Sequence, residues 1–126
     1  WIGEKMKIKK IAAVGISMAI AMPGISGFAA SLSPTWLDNS TQISGALTKV
    51  SNGVGKGTTK VIVSKSGDTA GIGLQYYDGN NDYFYLGGKY ASGQVSYQSG
   101  NKNAKGMDSI HTTAKVNKSK MLHIKF

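Results

Sequence analysis

The chain has 126 residues, with 15 lysines, six acidic residues, 17 glycines, no cysteine and a formal net charge of +9. That length holds one domain with a leader or a tail, and the lack of cysteine excludes a disulfide scaffold, a thiolate zinc site, a cysteine nucleophile and a lipid anchor on Cys. Charged residues make up 17%, too few for a polyelectrolyte, and a hydrophobic share of 40% is enough for a core.

Residues 1–5 (Trp1-Ile2-Gly3-Glu4-Lys5) fit no leader pattern. Gly-Glu-Lys-Met can be encoded by GGA-GAA-AAA-ATG, a purine-rich ribosome-binding sequence followed by a start codon. Residues 1–5 are therefore expected to be upstream sequence read through in frame, with translation starting at Met6 in a Gram-positive bacterium. Residues 6–29 then read as a secretory signal peptide, an N-terminal helix ahead of the β domain. Lys7, Lys9 and Lys10 form its positive start, Ile11 to Met22 its uncharged apolar run, and Pro23-Gly24 its break. Gly27-Phe28-Ala29 supplies a small-x-small cleavage pattern, with cleavage expected at Ala29 or Ala30. The run between Lys10 and Pro23 is shorter than the ~20 apolar residues of a spanning helix. The mature chain is accordingly expected to be secreted, with no transmembrane segment.

Residues 30–40 (ASLSPTWLDNS) carry Pro34 and three serines without periodicity, and read as a flexible tail in which Trp36 and Leu37 can dock. From 41 to 126, short runs rich in Val, Ile, Thr and Tyr alternate with Gly/Asn/Ser/Asp clusters. That texture predicts an all-β fold, a small antiparallel sandwich of six to eight strands. The expected strands are 42–50, 58–64, 69–77, 83–86, 94–98, 109–116 and 121–126. Asn52-Gly53, Ser66-Gly67-Asp68, 78–81, Gly87-Gly88, 99–101 and 117–120 are the expected turns. Period-two alternation gives a core of Ile43, Leu47, Val61, Val63, Ile72, Leu74, Tyr76, Phe84, Leu86, Val95, Tyr97, Ile110, Val116, Leu122, Ile124 and Phe126.

The acids of the expected mature chain, Asp38, Asp68, Asp78, Asp82 and Asp108, fall in the tail, in turns or at strand borders, where Asp bonds nearby backbone. None forms the spaced, partly buried pair that hydrolysis needs. Asp78-x-Asn80-x-Asp82 begins like a calcium loop, but Tyr83 and Lys89 stand where such a loop wants Gly and Glu, so a hairpin turn is the better reading. His111 and His123 are expected on an outer face, roughly 13 Å apart by strand rise, too far to share a metal. No nucleophile elbow, zinc-helix motif or phosphate-binding loop occurs. No catalytic residue, metal or cofactor is therefore expected, and the chain reads as a non-enzyme.

Two features point to binding. Without Lys5, Lys7, Lys9, Lys10 and Glu4 the chain keeps 11 Lys and 5 Asp, a net +6. Every base is Lys, a solvated point charge without arginine's bidentate recognition, which argues against specific nucleic-acid binding. The lysines fit attraction to anionic surfaces, with Lys60, Lys89, Lys102, Lys105, Lys115, Lys118 and Lys120 as the expected contributors, or else serve solubility alone. Four of six tyrosines lie at 76, 77, 83 and 85. If the hairpin keeps its faces matched, Tyr77, Tyr83 and Tyr85 form an outward stripe with Gln75 and nearby Asn80, able to stack on sugar rings and bond their hydroxyls. The plainer reading is cross-strand packing.

The layout of a Lys-led apolar leader and a short, glycine-rich, tyrosine-containing, cysteine-free β domain resembles small exported proteins of Gram-positive bacteria, bacteriocins of the lactococcin 972 type among them. The resemblance is one of layout, and no residue role is carried over. The expectation is a secreted cationic protein that binds an anionic cell-wall polymer or glycan; the alternative is a bacteriocin-like antimicrobial acting on a target-cell surface. The sequence leaves the oligomeric state open.

Overall fold

The computed structural model describes residues 20–21, 28–65 and 67–126. The signal-peptide reading, including its helix, falls mostly outside the described residues. No helix occurs among the described residues. The elements are β1 (Ile20–Ala21), β2 (Phe28–Trp36), β3 (Thr41–Ser51), β4 (Val54–Ser64), β5 (Thr69–Tyr77), β6 (Tyr83–Ser92), β7 (Gln94–Gly100), β8 (Gly106–Thr113) and β9 (Lys120–Lys125). They form two antiparallel sheets, in the orders β1-β2-β3-β4-β7 and β6-β5-β8-β9. The fold is all-β and sandwich-like, as expected.

The strand reading holds best where alternation is strict and turn residues flank it. β5 has the expected bounds, and its Ala70, Ile72 and Leu74 face the interior and are buried. The main interior cluster joins Ile43 and Leu47 of β3 to Leu74 of β5, Met107 of β8, and Leu122 and Ile124 of β9. Small residues in the first sheet let the second come close. A side chain at Gly57 would meet Ile72 and Leu74, and one at Gly55 would meet Met107.

Four expectations need correction. Residues 30–40 are not a tail: β2 pairs with β3 from Ala29↔Thr48 to Trp36↔Gln42, and Ala30, Leu32 and Leu37 are buried. Pro34 is accommodated because the register shifts between Leu32 and Thr35, a break where a missing N–H costs no ladder bond. Cleavage at Ala29 or Ala30 would thus fall within β2, leaving the pairings from Ser31↔Ala46 onward in either case. If β2 belongs to the domain, Leu32→Ala should cost about 3 kcal/mol in urea unfolding, whereas a docked tail would lose almost nothing.

Second, Gly87-Gly88 is not a turn. β6 runs on to Ser92 across a register shift at Gly87 (φ 136°), where the Tyr97 hydroxyl fills the space a side chain would take. The chain changes sheets instead at Gly93 (φ 76°), which accepts a hydrogen bond from Val61 N–H. Third, β8 covers 106–113 rather than 109–116, with the opposite phase. His111 pairs with inward Ile72 and faces the interior, while Ile110 pairs with Gly73 on the outer face. Ile110 is buried there with Met121 under Tyr85 and Tyr90, because Gly71 and Gly73 leave room for the two rings to lie across β5. Fourth, Val63 and Phe84 are exposed, at 36% and 43%. Val63 is displaced by a bulge between Gln42 and Ile43, and Phe84 lies near the start of edge strand β6.

Candidate functional site

The β5–β6 hairpin organises the site. Its strands pair Tyr76↔Phe84 and Tyr77↔Tyr83, the register expected from matched faces. The tip is a tight polar turn: Asp78 N–H donates to the Asp82 carbonyl at 3.3 Å, and Asn80 N–H donates to Asp78 Oδ1 at 2.8 Å. Gly79 (φ 95°) and Asn81 (φ 64°) take the left-handed backbone the turn requires. Successive side chains point to opposite faces, so the hairpin carries one aromatic pair on each.

On one face Tyr76 and Phe84 stack with ring centroids 5.0 Å apart and planes at 24°. Tyr97 of β7 covers Leu86, donating to its carbonyl at 3.2 Å, and leaves Phe84 beyond it open. The loop between β7 and β8 forms the opposite wall of a cleft of about 390 Å³ lined by Tyr76, Asp78, Asn80, Phe84, Lys102, Asn103 and Lys105. That loop is held in place by its own backbone. Asn101 N–H donates to the Gly53 carbonyl (2.8 Å), Asn103 N–H to Asn101 Oδ1 (2.8 Å), and Lys105 N–H to the Tyr77 carbonyl (2.6 Å). Two ammonium groups, two amides, one carboxylate and a stacked aromatic pair thus converge on one concavity. Rings offer a flat apolar surface to a sugar face, lysines attract phosphate or carboxylate, and the amides can donate to or accept from hydroxyls.

On the other face Tyr77 and Tyr83 lie 5.2 Å apart and tilted by 36°. They border a smaller cleft, about 220 Å³, whose lining includes Asn81, Asp108, His123 and Lys125. Asp108 is buried. Its Oδ2 accepts from Gln75 Nε2 at 2.9 Å, and its Oδ1 is 2.8 Å from His123 Nδ1. Burial pushes the Asp108 carboxyl up, against the opposing pull of the Gln75 hydrogen bond and the His123 charge. Burial, with the nearby Asp108 charge and Tyr77, likewise raises the Tyr83 phenol.

The sequence-predicted residues therefore separate. Tyr77 and Tyr83 share the smaller cleft, but Asn80 joins Tyr76 and Phe84 on the other face. Gln75 is fully buried, its Nε2 donating to Asp108 and its Oε1 left without a partner, so it is not part of an exposed outward stripe. Tyr85 packs with Ile110 and Met121, the plainer of its two readings. Of the seven lysines singled out, Lys102 and Lys105 meet the aromatic cleft. Lys60, Lys89, Lys115 and Lys118 are exposed elsewhere, and Lys120 is half-buried. Tyr76 packs on the core, as expected, while its ring also lines the cleft beside Phe84, which is exposed rather than core. Their closeness to a polar hairpin tip was the available signal.

Of the two histidines, His123 faces outward as expected, opposite Asp108, and His111 needs correction. His111 is fully buried between the sheets, with Nδ1 2.8 Å from Thr59 Oγ1 and Nε2 2.6 Å from Ser109 Oγ. Ser109 and Thr59 are equally closed off from solvent. The Thr59–His111 contact joins β4 to β8 and braces one sheet against the other, while the Ser109–His111 contact lies within β8 and offers no substrate a way in.

Comparison of the chain with protein-family models, curated proteins and solved structures returned no match.

Proposed function

We propose that the protein is a secreted, non-enzymatic, cationic binding protein of the bacterial cell envelope, and that its ligand is an anionic wall polymer or glycan. One observation carries this reading: the stack of half-buried Tyr76 and exposed Phe84 shares a cleft with Lys102, Lys105, Asn80 and Asn103. An aromatic surface suits a sugar ring, and paired lysines beside it suit a phosphate or carboxylate on the same polymer. A neutral glycan would leave the lysines unused, and a bare polyanion would leave the rings unused. The non-enzymatic reading is supported by the closed setting of His111 and Ser109.

Sedimentation with purified Gram-positive cell walls tests the reading. Binding should weaken between low and ~0.5 M salt as the charge contribution is screened. A salt-resistant remainder should persist and fall about tenfold in Phe84→Ala, a substitution at an exposed position. Lys102→Gln with Lys105→Gln should instead remove most of the salt-sensitive part. Binding that depends on Tyr77 and Tyr83 but not on Phe84 would move the ligand to the other face of the hairpin. No wall affinity at low salt would defeat the reading.

A further inference from the structure

We propose that the end of the sandwich opposite the Tyr76–Phe84 cleft docks on an anionic lipid bilayer surface. β5 starts at this end with Thr69 and reaches the cleft at Tyr76, so the two ends lie about 24 Å apart by strand rise. The proposal is thus separate from the wall-ligand reading.

The feature is an apolar patch made by register. Trp36 pairs with Gln42, and Gln42 pairs with Val63, so Trp36 and Val63 flank Gln42 on the outer face of the first sheet. Val61 pairs with buried Ile43 and packs on the core. Alternation then turns Ile62 outward, and the bulge places Val63 outward as well. Two consecutive β-branched side chains therefore stand beside an indole, with Trp36 50% and Ile62 41% exposed. The pairing of β4 with β7 ends at Lys60↔Gln94, so this stretch is also a sheet edge.

Lysines rim the patch. Lys60 faces outward, opposite Ser44, and Lys65 is exposed one residue beyond β4, its N–H donating to the Ser40 carbonyl. Lys118, also exposed, is close enough to Asp38 to act on its charge. The two acids of this end are turned to local backbone. Asp38 Oδ1 accepts from the N–H groups of Ser40 and Thr41, and buried Asp68 accepts from those of Thr69 and Lys115. Trp at the headgroup level, short apolar side chains below it and lysines reaching anionic headgroups make an interfacial contact. A second copy fits less well. Three partly exposed apolar side chains fall far short of the ~800 Å² per partner of a stable interface, and a lysine rim would meet a lysine rim.

Trp36 is its own reporter once Trp1 is replaced. The experiment adds anionic (phosphatidylcholine/phosphatidylglycerol) or neutral (phosphatidylcholine) vesicles to the full chain carrying Trp1→Phe. Anionic vesicles should shift Trp36 emission to the blue and shield it from acrylamide, and neutral vesicles should do so far less. Each of Lys60→Gln, Lys65→Gln and Lys118→Gln should weaken the response about fivefold, and Ile62→Ser with Val63→Ser about tenfold. All variants keep the apolar run 11–22, so vesicle binding through that run alone would leave Trp36 emission unmoved and would overturn the proposal. A blue shift that grows with protein concentration in the absence of lipid would also overturn it, by assigning the patch to self-association. The lysine substitutions sit on exposed positions, so the test does not hinge on whether the Ile62/Val63 variant folds.

Discussion

Gly45→Ala should cost the domain roughly 3–6 kcal/mol, from overpacking together with the loss of buried hydrogen bonds. Gly45 lies on β3 between Leu32 of β2 and Thr59 of β4. An added Cβ would lie 2.5 Å from His111 Nδ1 and 2.8 Å from its Cε1. The ring cannot swing aside cheaply. It is fully buried and held at both nitrogens, by Thr59 and by Ser109. Displacing it orphans two hydroxyls in the interior and separates the sheets where they are braced. For a domain of ordinary stability, about 5–15 kcal/mol, that is a large share from one methyl group. Urea unfolding of the variant, with Ala46→Ser on the outer face of the same strand as the control, measures it. A loss below ~1 kcal/mol would mean that the ring has room the structure denies it.

Acid should weaken the fold well above the carboxylate range. Burial lowers the His111 pKa from 6.5 to about 3, against a smaller opposing contribution from the Thr58 backbone. The unfolded chain therefore binds a proton that the folded chain refuses. The stability conferred by neutral His111 is fully present above about pH 6.5 and is lost progressively as pH falls toward 3. By pH 5 the loss is about 2 kcal/mol, and by pH 3 on the order of 5. Asp108 acts with the opposite sign. Its raised carboxyl favours the fold when protonated, a contribution that fades as pH rises through its folded pKa. Asp38, lowered first by the Ser40 backbone hydrogen bond, loses its contribution only as pH falls below 3.8. The Asp108 contribution is common to the parent and to His111→Gln, so their difference reports on His111. The parent's urea midpoint should fall between pH 7 and 5 relative to that of His111→Gln. A parent whose midpoint keeps pace with that of His111→Gln to pH 5 would contradict a neutral, desolvated imidazole.

The sequence made the hairpins legible, and less so what covers them. β5 is readable because Ala70, Ile72, Leu74 and Tyr76 alternate strictly between turn residues, and the pairings Tyr76↔Phe84 and Tyr77↔Tyr83 follow from the tip alone. β2 is not readable. Its first residues overlap the expected leader, Pro34 argues against a strand, and its extended form comes from pairing with β3. Ile110 misleads because both faces of its sheet are apolar at that point: periodicity shows that alternate residues are alike but not which set faces the other sheet. The same limit hid the site. Whether Phe84 is core or cleft depends on how far β7 extends across the interface, and that is fixed by contacts distant in sequence. Lys102 and Lys105 carry no local signal that they meet Tyr76 and Phe84. The loop from 101 to 105 brings them there through hydrogen bonds to Gly53 and Tyr77.

The proposed function requires one cleft to recognise both the charge and the sugar of an envelope polymer. A soluble anionic wall-polymer fragment titrated into the isotope-labelled protein, followed by amide chemical shifts, tests it most directly. Saturable changes concentrated at Tyr76, Asn80, Phe84 and residues 102–105, still present at high salt, are the expected result. Changes spread over the exposed lysines at large and erased by salt, with Phe84 and its neighbours unmoved, would contradict it.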